Sequence, residues 1–385
     1  MPDALFIEFP PISTEEWEAA ARLDLKGKAL AKILYRAEDW SGGGAAEQPW
    51  PARTWQMWAE VSNAAQAKRA IECGAEGLVF AGAIPEWASS FEGVHLHAAA
   101  SETALTDGTS IAQQINEARA ISLGVDLVVP VGPSYFEEIA KFRALRRLNP
   151  AMRLIARTSR WHATAYDPHM NLVRGTTEAM AAIIGGCDAL IVRPFTEARG
   201  STDEFAERLA LNTQLLLRDE SYFGAVADPA AGSWYIESLT EQLLNGEART
   251  DELATVFVGV NRHPNPSEET PSMITAGRAM SALEQCRARS ERAAKRPVVL
   301  LIRGSDEKMS RPRAAFAREF FAAGGFAVVD SGVADLAVLC DADANYAAMR
   351  ELTKFDGPVI AAGPDFNRAS DQASHIASWQ ERLGI

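Results

Sequence analysis

Cysteine is scarce: four in 385 residues. Cys73, Cys187, Cys286 and Cys340 stand far apart and form no C-x-x-C pair. That spacing excludes a zinc ribbon or a disulfide framework and reads as reduced, mostly buried thiols of a cytoplasmic protein. Positive charge is also short. The formal net charge is −13, and nucleic acid as a main partner needs a basic face. An acidic protein can still carry a local cationic pocket for an anionic ligand. No run of about 18 apolar residues occurs, so nothing reads as a membrane span. Met1 to Pro11 has acidic residues where a signal peptide has basic ones, and no long apolar core. There is no P-loop, no G-x-G-x-x-G and no Ser–His–Asp order. Gly185-Gly186, ahead of an apolar run, reads as a helix stop.

What is present is an ordinary globular composition, 47% hydrophobic and 23% charged, in a chain long enough for two domains. Residues 1–40 read as a helical arm, because Ser13-Thr14-Glu15-Glu16 resembles a capping sequence and helical spacing follows to residue 39. The arm either packs on its own domain or reaches around a partner subunit. Ser41-Gly42-Gly43-Gly44 to Pro51 is a linker. Within 41–262, short apolar runs alternate with helical stretches. Strands are expected at Trp55–Val61, Gly77–Gly82, Gly93–Ala98, Asp126–Val131, Arg153–Thr158, Asp188–Pro194 and Ala254–Asn261. Helices are expected at Ala64–Cys73, Ser110–Leu123, Tyr135–Leu148, Thr176–Ile184 and Thr202–Arg218. The alternation implies parallel strands with crossover helices, and the total suits a TIM-type barrel. The stretch between Gly82 and Val94 is too short for a helix, so the barrel reads as shortened or distorted. Residues 263–296 form a proline-marked linker and a polar, basic helix over Ser281–Lys295. Residues 297–385 form a small flavodoxin-like domain, with strands at Val298–Ile302, Ala327–Asp330, Asp335–Leu339 and Val359–Ala362.

The segment from Thr158 carries the most information. Thr158, Ser159, Trp161, Thr164, Asp167, Pro168, Asn171 and Arg174 fall without a gap into T-S-x-W-x-x-T-x-x-D-P-x-x-N-x-x-R. That pattern resembles the adenosylcobalamin-dependent acyl-CoA mutases, the methylmalonyl-CoA mutase family. Val333-Ala334-Asp335 through Leu339-Cys340-Asp341 to Tyr346-Ala347 resembles the small, non-catalytic subunit of its heterodimeric bacterial members. Leu34–Asp39, Ile139–Leu148 and Val258–Arg262 resemble the same subunit.

The resemblance implies a barrel followed by a cobalamin-binding domain, and a radical carbon-skeleton isomerisation. Several expected residues differ here. The family's T-x-R-x-Y-A-G-F-S, which meets the substrate at the barrel mouth, aligns with Thr54–Ser62, so Gln56 replaces an arginine, Trp58 a tyrosine and Glu60 a glycine. A carboxylate thereby loses a charge-assisted partner. Thr158, Ser159 and Arg160 occupy altered substrate-binding positions. Arg160, in place of a glycine, reads as a rebuilt anion or partner contact or as part of a solvated loop. His97 and Arg157 are the weak catalytic candidates. His97 follows His95 by two residues, on one strand face as a metal pair would be, but no third ligand is in view and a structural histidine is favoured. The family's D-x-H-x-x-G, whose histidine ligates cobalt, is missing: Leu301-Ile302-Arg303-Gly304 runs into Ser305–Met309, and no histidine lies between His263 and His375. The expectation is a small subunit, inactive alone, that binds neither cofactor nor metal. Adenosylcobalamin sits in a larger catalytic partner, and a homodimer forms when no partner is present. The alternatives are an acyl-CoA mutase-like barrel with its own altered CoA-ester site, or a CoA-ester-binding scaffold.

Overall fold

The computed structural model describes residues 54–99, 103–121, 126–200, 202–226, 228–246, 256–366 and 371–385, with residues 13, 16, 19, 20 and 23 before them. The arm and linker expected before residue 52 lie almost wholly outside the described residues. Ser13 and Glu16 do form the capping pair, the Glu16 amide donating to Ser13 Oγ at 3.2 Å and the Ser13 amide to the Glu16 carboxylate at 2.9 Å.

Strand and helix alternate through β1 (Gln56–Val61), α1 (Ala64–Glu72), β2 (Gly77–Phe80), β3 (His95–Ala98), β4 (Thr103–Ala104), α2 (Ile111–Arg119), β5 (Asp126–Val131), α3 (Tyr135–Leu148), β6 (Arg153–Thr158), α4 (His169–Gly185), β7 (Ala189–Ile191), α5 (Glu204–Leu215) and α6 (Trp234–Asn245). The seven strands form one parallel sheet in the order β3-β2-β1-β7-β6-β5-β4. Because β1 pairs with both β2 and β7, the run curls back on itself as a TIM-type barrel does. It is open between β3 and β4, which share no pairing among the described residues. Where a crossover helix is missing after β2, there is only a 3₁₀ turn, Glu86–Ser90. This is the shortened, distorted barrel.

Two sequence expectations need correction. Ala254–Asn261, apolar enough for a strand, is a tight turn over its described part. Gly259 is left-handed (φ 87°), the Phe257 amide donates to Asn261 Oδ1 at 2.7 Å, and only a single bridge joins Val258 to Arg262. Helix α6 was not foreseen. It docks on α3 through buried charge: Glu237 accepts from Arg143 at 2.5 Å and from Arg147 at 2.8 Å, and Asp228 also accepts from Arg143. Helix α3 is studded with such buried cations. Lys141 donates to the Pro130 carbonyl at 2.6 Å and pairs with Glu138 at 2.5 Å; Arg146 donates to Asp188 at 2.5 Å and to the Met152 carbonyl at 2.6 Å. Each interior charge is thus matched by an acceptor, as burial demands.

The second sheet follows α7 (Ser281–Arg292) and contains β8 (Val298–Arg303), β9 (Ala327–Val329), β10 (Leu336–Cys340) and β11 (Val359–Ala361). Its helices are α8 (Glu307–Ala323), α9 (Tyr346–Leu352) and α10 (Gln372–Arg382). The order β11-β10-β8-β9 is parallel throughout and matches the flavodoxin-like winding. Helix α7 is more than a connector. Leu283, Cys286 and Ala288 are buried, and Glu284 pairs with Arg278 at 2.7 Å in full burial. Glu284 also accepts the backbone amides of Ala165 and Tyr166, at 2.6 and 3.2 Å, while the Tyr166 hydroxyl donates to Glu291 at 2.7 Å. The loop after β6 is therefore pinned to the second half of the molecule.

Candidate functional site

The inward-facing residues of β1 are Gln56, Trp58 and Glu60, at successive depths along the barrel. Gln56 opens the strand, so it stands at the N-terminal edge, opposite the barrel mouth where the sequence alignment put it. Its carboxamide meets His95 Nε2 at 2.9 Å and accepts from Arg153. Trp58 lies in the middle, 2% exposed, and packs with Val79, Val128, Ile155, Ala189 and Ile191. Its indole crosses the neighbouring strand at Gly77, where an added Cβ would sit 2.4 Å from Nε1. A glycine beside a tryptophan is the sequence trace of that close approach. Arg153 lies 5.0 Å over the indole, and the rings of His95 and His97 lie 6.2 and 5.5 Å from it. His97 belongs to this packed interior. Among the described residues no group of three or more His, Cys, Asp and Glu could hold a metal ion.

Glu60 stands at the C-terminal edge, where TIM-type barrels keep their sites. Arg157 Nε and Arg193 Nη1 each lie 3.1 Å from its carboxylate. Arg193 also donates to Glu197 at 2.9 Å and, through Nε, to the Thr158 carbonyl at 3.1 Å. Arg160 is half-exposed on the rim, 3.7 Å from Glu197. Interior and mouth are thus filled by the chain's own side chains.

The fingerprint residues hold the loop between β6 and α4. Thr158 Oγ1 accepts from the Arg193 amide at 2.9 Å. Ser159 Oγ donates to Asp107 at 2.6 Å, and the amides of Arg160 and Trp161 donate to the same carboxylate at 2.8 and 3.0 Å. Asn171 Oδ1 accepts from the Thr164 amide at 3.0 Å, and Arg174 binds Thr164 Oγ1 and Asn171 Oδ1 at 2.8 Å each. Asp167 takes a left-handed φ of 48° and pushes against Gly259, where a Cβ would sit 2.5 Å away. Asp107 escaped the sequence reading, although Asp107-Gly108 is a turn signal. Gly108 is left-handed (φ 79°) and gives way to the Trp161 ring.

Beside this loop lie two buried titratable groups, His162 and Glu178. His162 stacks near Trp161 and Phe257, and neither ring nitrogen has a hydrogen-bond partner among the described residues. Burial lowers its pKa to about 4, with Arg174 and Lys141 pushing the same way and Asp107 opposing. Glu178 is buried on α4 and accepts the Ser159 amide at 3.0 Å; burial drives its pKa well up.

In the second sheet a cobalamin site would lie at the C-terminal ends of β8 and β10, where the winding reverses and ligands of such folds sit. That crevice is filled by Asp341. Its carboxylate accepts from the amides of Asp306 and Ala342 at 3.2 and 2.8 Å and from Asn345 Nδ2 at 3.0 Å. A Cβ on Gly304 would lie 1.8 Å from it. His375 is elsewhere, on α10, accepting from the Trp379 indole at 3.2 Å between Phe320 and Phe366. These residues do not fit a cobalt-ligating histidine or a nucleotide tail.

A family model described as methylmalonyl-CoA mutase matches residues 125–250. The methylmalonyl-CoA mutase small subunit of Porphyromonas gingivalis is 31% identical over 299 residues, covering 56% of this chain and 48% of that protein. The probable methylmalonyl-CoA mutase small subunit of Mycobacterium tuberculosis (H37Rv) is 32% identical over 283 residues, covering 55% and 46%. The Streptomyces virginiae small subunit is 27% identical over 439 residues, covering 91% and 70%; that alignment is longer than this chain, so the relative carries segments missing here. The chain spans about half the length of the first two relatives. Together with the curled parallel barrel and the second parallel sheet, these matches make the chain similar to the methylmalonyl-CoA mutase family and, within it, to proteins named small subunits.

Proposed function

We propose that the chain is a small, non-catalytic subunit of an adenosylcobalamin-dependent acyl-CoA mutase and stabilises a larger catalytic partner. One observation carries this reading: the barrel axis is occupied from end to end by Gln56 and Arg153, then Trp58, then Glu60 with Arg157 and Arg193. A substrate threaded there would have to displace a buried tryptophan and separate paired charges, at a cost of several kcal/mol. The Asp341-filled crevice in the second sheet supports the same reading for the cofactor. The partner subunit then holds adenosylcobalamin, which supplies the radical, and the acyl-CoA. This chain contributes surface and rigidity.

Co-expression with a larger mutase subunit tests the proposal. The two chains should co-purify as one complex with mutase activity, and the larger chain should lose stability or activity when this one is omitted. Turnover of any acyl-CoA by this chain alone would favour a barrel with its own altered CoA-ester site. Tight acyl-CoA binding without turnover would favour a scaffold.

A further inference from the structure

A cavity of about 1000 Å³ lies at the N-terminal edge of the second sheet, away from the barrel. It is bounded by α7, the segment 272–274, the approaches to β8 and β10, and the residues after α10. Part of its wall is apolar: Met273, Ile274, Ala288 and Leu383 line it, and Met273 is 57% exposed. Its charged side chains are Arg289, Arg292, Lys295 and Asp335. Lys295 donates to Asp335 at 2.6 Å, and Asp335 also accepts from the Val298 amide at 3.0 Å, so that pair is balanced. Arg289 and Arg292 are not. They stand three residues apart in the last turn of α7, on one face. Among the described residues neither has a carboxylate within ion-pair distance. Arg289 donates to Gln380 Oε1 at 3.4 Å, and Arg292 donates to the Pro271 carbonyl and to the Ser272 carbonyl at 3.4 Å. Both arginines complement the carbonyl end of the helix. That role leaves donors to spare, because a guanidinium carries five N–H groups and these contacts use only some of them. In a chain of net charge −13, two unbalanced cations share one cavity. Forked guanidinium donors match phosphate oxygens. The volume suits a whole small molecule and is far more than a bare phosphate fills.

We propose that this cavity binds an organic phosphate, with the phosphate held by Arg289 and Arg292 and an apolar or aromatic body laid against Met273, Ile274 and Leu383. This goes beyond the subunit role and does not depend on it, since the whole site lies within one chain.

The test is calorimetric titration of the full chain at low salt with ADP and with phenyl phosphate, against inorganic phosphate and adenosine as controls. At least one of the two organic phosphates should bind saturably, at least about tenfold more tightly than inorganic phosphate or adenosine, and added sodium chloride should weaken it. Arg289→Gln and Arg292→Gln should each weaken binding by about tenfold or more, and the double variant should abolish it. Ala294→Glu keeps both arginines, adds a carboxylate to the exposed wall of the cavity, and should also weaken binding while melting like the parent. No binding of either organic phosphate, binding no tighter than that of inorganic phosphate, or binding unchanged in Arg289→Gln/Arg292→Gln would overturn the proposal. Should the double variant not fold, Ala294→Glu gives the same reading: weaker binding supports the site and unchanged binding refutes it.

Discussion

A carboxylate that accepts from a hydroxyl and from two successive backbone amides leaves three donors stranded when it is removed. Asp107 does this for Ser159, Arg160 and Trp161. Asp107→Ala should therefore destabilise the chain by about 1–2 kcal/mol, read in urea unfolding, because partly buried donors left without an acceptor cost at least the net worth of their bonds. His162 provides a pH signature. Its folded pKa of about 4 lies below the unfolded value of about 6.5, so the unfolded chain binds the extra proton between them. The stability tied to neutral His162 is complete above pH 6.5 and is lost as pH falls toward 4, by about 3 kcal/mol. Glu178 works in the opposite sense, since a raised carboxyl pKa gives stability that is present at low pH and lost as pH rises. The two are separated by comparing the parent with His162→Gln. The difference in unfolding free energy between the two proteins should depend on pH between 6.5 and 4. A difference that is flat across this range would refute the assignment.

Among the elements, Arg153–Thr158, Asp126–Val131 and Tyr135–Leu148 could be read from the sequence to the residue. Each is a long apolar or amphipathic run with a sharp end. Helix α6 was hidden because Trp234-Tyr235-Ile236 has β-type chemistry; what makes it helical is tertiary, Glu237 reaching Arg143 and Arg147. The turn at 257–262 was hidden for the opposite reason, an apolar run broken by one left-handed glycine. The fingerprint predicted a site around Thr158 and Ser159. The structure gives both residues bonds that hold the loop, and they share it with Asp107, which no motif named. Gln56, Trp58 and Glu60 share the inner face of β1, and strand direction puts Gln56 at the edge far from the mouth. The loop after β6 is fastened to α7 by Glu284, fully buried with Arg278. Glu284→Ala should cost about 3–5 kcal/mol by leaving a buried guanidinium uncompensated. Arg278→Ala/Glu284→Ala should cost less than the sum of the single changes. Additive losses in that double-mutant cycle would show that the pair does not couple the two halves.

At the scale of the whole molecule, an open sheet edge between β3 and β4 and exposed apolar residues such as Val173, Phe205, Tyr222 and Trp234 leave surface for a partner. An obligate complex of this type should bury more than roughly 2,000 Å² in total. Deleting residues 1–40 should weaken association, measured by sedimentation, if the arm reaches across the interface. A stable monomer under all conditions, or unchanged association after the deletion, would remove the arm from the account.

The proposed division of labour between this chain and a larger subunit is tested most directly through the cofactor. With Asp341 in the crevice and His375 bound to Trp379 away from it, no imidazole among the described residues is placed there for cobalt. The decisive measurement is a titration of the isolated chain with adenosylcobalamin, followed by visible absorption. The account predicts the spectrum of the free cofactor at micromolar concentrations. A shift to the base-off form with a histidine on cobalt would contradict it.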